Sequence, residues 1–184
     1  MSARTERDVG QVERSLNTRH QEGSVIIAAT REDVFAFVDD HARFSSHMSQ
    51  SSWMMGGGRM RVELDDLGGR AVGSHIKLGG KVLGIRLFLD EVVTHRNAPT
   101  GKVWETVGTP RLLVIGSYRM GIVISGDYRR SRLKVFIDYE LPRNWRTRWL
   151  GWLFSGIYAT WCVRQMLSGT VSHFADRGPA GASR

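Results

Sequence analysis

Cysteine is almost missing from this chain of 184 residues, where Cys162 stands alone. A single thiol excludes an intramolecular disulfide and any metal site built on several cysteines. Long apolar runs are missing too. A bilayer span takes roughly 20 residues, and the longest apolar stretch, residues 149–163, is cut off by Arg164 and Gln165. Residues 1–23 are charged throughout and lack the apolar segment of a signal peptide. A cytoplasmic location is therefore expected, with peripheral membrane contact as the variant considered below. There is no nucleophile elbow, no HExxH pair and no glycine loop opening a helix, so the usual signatures of hydrolase, zinc and nucleotide chemistry are wanting. The triple glycine at 56–58 precedes a strand pattern and reads as a hinge or bulge. Six histidines (His20, His41, His47, His75, His95 and His173) are scattered. His41 and His47 do not share a helical face well, so no metal site is expected and surface positions are. No cofactor is expected.

Positive charge is plentiful. The formal net charge is +8, and 22 of the 26 basic residues are arginine. Most are dispersed and read as solvent-facing; only Arg129, Arg130 and Arg132, and Arg143, Arg146 and Arg148, cluster. No zinc-finger spacing, basic zipper or RNA-recognition aromatic motif accompanies them, so nucleic acid is not an expected partner.

The length fits one domain with a substantial core. Residues 1–22 carry few apolar groups and are expected to form a mobile arm, 23–176 the domain, and 177–184 a disordered tail. A β-branched run at 24–29 leads to Thr30, a good helix N-cap, followed by acids in the first turn and an amphipathic helix to about residue 40. Residues 41–47 suggest a second helical turn. From Arg59 the apolar period becomes two, marking strands at 59–65, 71–78, 82–95, 102–107, 112–125 and 132–140. Gly79-Gly80 is expected to turn a tight hairpin, residues 108–110 another turn, and Gly116 and Gly121 a bulge or bend. Residues 145–174 form one long helix holding four of the six tryptophans. Its stretch 149–163 is apolar nearly all round, which predicts burial on more than one side. The expected fold is α+β: a curved antiparallel sheet of about seven strands wrapped around the C-terminal helix, with two short helices after the first strand. Glycine-bent strands held away from a helix also enclose a pocket.

That element order, with the run VLGIRLFLDEVVTHRNAPTGKVWETVGTPRLLVIGSYRMGIVI at 82–124 and the aromatic last helix, resembles the START-like, or SRPBCC, helix-grip superfamily. The likeness covers about residues 24–174 and is nearest to the bacterial polyketide cyclase/dehydrase-like proteins. It implies a cavity between sheet and helix that binds or reshapes hydrophobic molecules, and it brings no shared catalytic signature.

The ligand-lining residues expected are Ile76, Leu87, Trp104, Tyr118, Met120, Tyr139, Tyr158 and Trp161. Glu91 continues the face of Ile85, Leu87 and Leu89; Glu105 and Trp104 alternate, so whichever points inward sends the other out. A solvated glutamate is the expected state of each, and a desolvated one the catalytic alternative. Tyr118 is either an ordinary core tyrosine or a hydroxyl offered to a ligand. Trp53, Met54 and Met55 suit the lip of a mouth. Three functions compete: a carrier or sensor of a hydrophobic small molecule or lipid, favoured because catalytic motifs are wanting; a cyclase/dehydrase-like enzyme using Tyr118, Glu105 or Glu91; and a peripheral membrane protein touching anionic headgroups through Arg143, Trp145, Arg146, Arg148 and Trp149.

Overall fold

Alternating side chains put one apolar face on each strand, and the strands join edge to edge so that those faces form one wall. In the computed structural model, which describes residues 18–44, 59–82, 85–142 and 145–176, β1 spans Arg19–Ile27. The remaining strands are β2 (Arg59–Leu64), β3 (His75–Val82), β4 (Ile85–Asn97), β5 (Gly101–Arg111), β6 (Tyr118–Gly126) and β7 (Ser131–Tyr139). They make a seven-stranded sheet in the order β1-β7-β6-β5-β4-β3-β2, with every pairing antiparallel. Two short helices, α1 (Arg31–Asp39) and α2 (His41–Phe44), follow β1, and α3 (Trp145–Ala175) closes the fold. Thr30 caps α1, its Oγ1 accepting from the Asp33 amide at 3.1 Å. This is the helix-grip architecture.

Several boundaries differ from the sequence reading. β1 starts at Arg19, ahead of Gly23, because residues 19–22 pair with β7 through Arg19↔Tyr139 and its successors; polar side chains do not prevent an edge strand from laddering. The rest of the expected N-terminal arm and the tail at 177–184 lie outside the described residues. Gly79 and Gly80 make no hairpin. Both stay in β3, flanked by β2 (Arg61, Met60) and β4 (Phe88, Leu87). Pairing on both edges overrides the local turn preference. β3 itself begins only at His75, and residues 108–110 continue β5 instead of turning it. β6 begins at Tyr118, leaving 112–117 as a connection. The irregularities that bend the sheet fall in β4, at Phe88/Asp90 and Val93/His95, and not at Gly121. Gly121 keeps regular register with Phe136, and a Cβ there would meet the Phe136 ring at 2.6 Å.

The largest correction concerns α3. Its buried stripe is Gly151, Ser155, Ala159, Cys162, Val163, Met166 and Thr170. Mostly small side chains thus face β1 and β7, the strands on which the helix chiefly packs. At Gly23 of β1 a Cβ would stand 2.9 Å from both Val163 Cγ1 and Leu167 Cδ1. Close approach selects small residues, so the large apolar ones of the first turns (Trp149, Trp152, Leu153, Phe154 and Ile157) remain exposed. The helix is therefore buried on one side only. Among the described residues no helix is long and apolar enough to cross a membrane.

The core lies between the sheet and the three helices, with Ile76, Leu78, Leu89, Val93, Trp104, Ile122, Leu133 and Val135 essentially out of solvent. Below α1 a charged group is embedded in it. Lys102 is fully buried and pairs with Asp39, which Arg96 also grips at 2.8 Å.

Candidate ligand-binding site

The sheet forks between β5 and β6. Their pairing runs from Gly101↔Val123 to Glu105↔Arg119, after which β5 follows β4 and the connection 112–117 returns to β6. Thr106 closes the crotch of the fork: its hydroxyl accepts from the Tyr118 amide at 2.8 Å and donates to the Tyr118 carbonyl at 3.1 Å. A side chain here takes the place of a backbone ladder step. At Gly116 a Cβ would stand 2.9 Å from the Leu141 carbonyl, so the connection passes hard against the end of β7. The fork borders a chamber of about 1260 Å³ that is half open to solvent, with Leu87, Thr106, Leu112, Leu113, Ile115 and Tyr118 among its lining, together with Arg86, Arg111, Arg119 and the acids Glu105, Asp138 and Glu140. Leu112, Ile115 and Tyr118 also border a small inner pocket of about 40 Å³. That inner space suits a water molecule or one substituent, whereas the outer chamber is large enough for a drug-sized molecule.

Polar groups gather at the inner pocket. Glu91, on β4, and His41, the first residue of α2, are each 2 % exposed. Tyr118 donates its hydroxyl to Glu91 Oε1. His41 Nε2 lies 3.5 Å from Glu91 Oε2, an electrostatic contact longer than a good hydrogen bond. His41 stands edge-on to Trp104 with ring centroids 5.2 Å apart, which fixes the imidazole plane. Among the described residues, His41 Nδ1 and Glu91 Oε2 are buried without a hydrogen-bond partner. Burial, reinforced by the Glu91 carboxylate, pushes the Tyr118 hydroxyl well above the usual tyrosine range, and burial does the same to Tyr158. Burial holds the neighbouring Cys162 thiol up at about 12. Phenols and thiol thus enter chemistry as neutral hydrogen-bonding groups.

The expected lining residues divide. Trp104, Met120, Tyr118 and Tyr158 border the inner pocket, and Leu87 and Tyr118 the outer chamber. Ile76 and Tyr139 are packed in the core and line neither, and Trp161 lies beside Tyr158 without facing either space. Trp104 points inward, so Glu105 points out, where it meets Arg119 at 3.4 Å. Glu91 is no solvated strand-face acid: strict alternation from Leu89 carries it into the core. Ile85, by contrast, is exposed at the strand's start. Nor is His41 a surface histidine. No local pattern marks it, because its burial comes from α2 folding onto Trp104. Of the expected membrane-contact residues, Arg148 and Trp149 are exposed. Arg143, the side chains of Trp145 and Arg146, the lip residues Trp53, Met54 and Met55, the glycines at 56–58, and His47 lie outside the described residues. Among the described residues no group of histidines, cysteines and carboxylates is placed to hold a metal ion.

Solved structures with this fold are found at low sequence identity. The Zhui aromatase/cyclase from Streptomyces sp. R1128 is 13 % identical, matching 91 % of this chain and 99 % of its own with a TM-score of 0.66. Norcoclaurine synthase from Thalictrum flavum, in complex with dopamine and hydroxybenzaldehyde, is 12 % identical over 92 % of this chain and 94 % of that one, TM-score 0.59. Ara h 8.0201 is 7 % identical over 86 % and 99 %, TM-score 0.55. No family model and no curated protein matches the sequence. The chain has the helix-grip fold of the START-like proteins. At such identities the likeness is one of fold.

Proposed function

We propose that the protein binds a hydrophobic small molecule whose body occupies the chamber at the fork and whose polar end reaches Tyr118, Glu91 and His41. The observation that carries this reading is the pair of unpartnered buried atoms, His41 Nδ1 and Glu91 Oε2, beside a pocket otherwise lined mainly by apolar side chains. Buried polar atoms are normally satisfied, and a ligand hydroxyl at this point has both a hydrogen for Glu91 Oε2 and a lone pair for an N–H at His41 Nδ1. The ligand is thus an apolar body with one oxygen-bearing end. Helix-grip proteins that handle small aromatic molecules, such as the norcoclaurine synthase complex above, agree with a pocket of this kind.

The test is native mass spectrometry of the purified protein, with the apolar molecule it carries then titrated into variants. Tyr118→Phe and Glu91→Gln should weaken retention about tenfold each, as expected for a hydrogen bond worth 1–2 kcal/mol in a buried site. A chamber that retains no apolar molecule from extract or from a panel of ring compounds defeats the reading.

A second reading has its own observation. Acid, imidazole and phenol are desolvated together, which is the equipment of proton transfer next to a ketone or enol. In a cyclase/dehydrase-like enzyme Glu91 with His41 would move the proton, and Tyr118, whose hydroxyl is given to Glu91, would hold that carboxylate in place. Turnover in a ketone panel, lost in Glu91→Gln, supports it; binding without turnover leaves the carrier.

A further inference from the structure

The exposed face of α3 is the least expected surface of the molecule. Trp149 is 61 % and Trp152 67 % exposed, and Leu153, Phe154 and Ile157 join them over the helix's first turns. Five large apolar groups on one element form a patch, unlike single exposed hydrophobes scattered over a surface. Nothing in the small-residue packing on the sheet requires large apolar side chains at these positions.

Charge identifies the occupant. α3 carries no aspartate or glutamate anywhere in its sequence, whereas Arg148 and Arg164 project from it into solvent. Arg19 of β1 adds a third cation, its guanidinium donating to the Trp152 carbonyl at 3.4 Å and to Ser155 Oγ at 3.3 Å. Tryptophan beside arginine suits the headgroup level of a bilayer, where the ring takes the apolar side and the guanidinium meets phosphate. A second copy of the chain fits less well. The same face turned on itself sets arginines against arginines, with no carboxylate on either helix to pair them.

We propose that the face formed by Trp149, Trp152, Leu153 and Ile157, flanked by Arg19, Arg148 and Arg164, docks shallowly on an anionic lipid bilayer. The helix lies in the interface plane and does not insert across it. Its buried side meanwhile holds the chamber wall, where a Cβ at Gly151 would stand 2.5 Å from Pro142 Cδ. Docking therefore leaves the ligand site assembled.

The experiment is co-sedimentation of the full chain with phosphatidylcholine vesicles, with and without phosphatidylglycerol, over a range of salt. Binding is expected to the anionic vesicles and to weaken as salt rises. Arg148→Gln should lower that binding about fivefold, the effect of one basic residue at an anionic surface, without changing binding to neutral vesicles. The double substitution Trp152→Ser with Ile157→Ser should reduce it at least tenfold on the loss of two large apolar anchors. Thermal melting reports whether that variant is folded, and native mass spectrometry whether it keeps its small molecule. Should it fail to fold, Trp152→Tyr with Arg148→Gln asks the same question more gently. The proposal is overturned if the full chain ignores anionic vesicles. It is equally overturned if the substitutions leave vesicle binding intact, or if they dissolve a dimer seen by sedimentation equilibrium while lipid is never bound. Loss of vesicle binding with the small molecule retained separates this inference from the ligand reading.

Discussion

Lys102 Nζ lies 3.1 Å from Asp39 Oδ1 and donates a second bond, also of 3.1 Å, to the backbone carbonyl of the same residue. One buried ammonium thus reads both the side chain and the main chain at the end of α1, tying that helix to the middle of the sheet. Removing one partner of a buried pair leaves the other uncompensated, at a cost of about 3–5 kcal/mol. Lys102→Met should fall at the low end of that range, because Arg96 still holds the carboxylate. Urea denaturation gives the value, and the double variant Lys102→Met with Asp39→Leu should recover part of the loss.

The same cluster predicts acid behaviour. Burial pushes the Asp39 carboxyl up, but the bond from Arg96 and the charge of Lys102 outweigh it, and the carboxyl sits below the ordinary 3.8. A carboxylate lowered in the folded state stabilises it above the unfolded value, and that contribution is lost as pH falls through the lower, folded one. Stability should therefore drop below about pH 4. Asp39→Asn should flatten the decline, as read from urea midpoints across that range.

Gly23 is a point of close contact between the helix and the sheet. Gly23→Val would drive two methyl groups towards Val163 and Leu167, which already lie 2.9 Å from a Cβ at that position. Overpacking of this sort costs about 1–3 kcal/mol, or a fall of roughly 2–12 °C in Tm for a domain of this size. Gly79→Val meets nothing within 4 Å and should leave Tm nearly unchanged.

The architecture was legible because strands announce themselves by alternation and α3 by its length. The contact face of α3 was not, since hydrophobic periodicity ranks residues by apolarity while close packing on Gly23 selects them by size. Alternation also yields two faces without saying which is inner. Trp104 goes in because it pairs with Met120 and Val93, both core residues, and Glu105 is left to Arg119. The His41–Glu91 contact joins α2 to β4 across a fold that no local pattern encodes. Gly79-Gly80 misleads for the opposite reason: its local signal is strong, and strands on both sides overrule it.

Cys162 gives a chemical readout of integrity. With its thiol held at about 12 by burial, it should resist alkylation at neutral pH and react only on opening. The sign of the stability effect follows. Between the free value of 9.0 and about 12 the unfolded chain ionises and the folded one does not, so stability declines as pH rises through that window. Cys162→Ala should show a shallower alkaline decline, measured by urea midpoints at successive pH values.

The seam between β1 and β7 has a consequence for how the molecule is made. His20 and Asp138, which bond at 2.6 Å across it, are 118 residues apart in the chain. Of the strands described, β1 is made first and has nowhere to go until β7, the last of them, has been synthesised. Nor can α3 settle before both exist, since it rests chiefly on those two strands. The first strand made is therefore among the last placed. Nucleation falls to the local meander from β2 to β7, and loop closure over so long a separation makes folding slow for a domain of this size. During synthesis the unpaired edge of β7 is the template on which a wrong strand would dock.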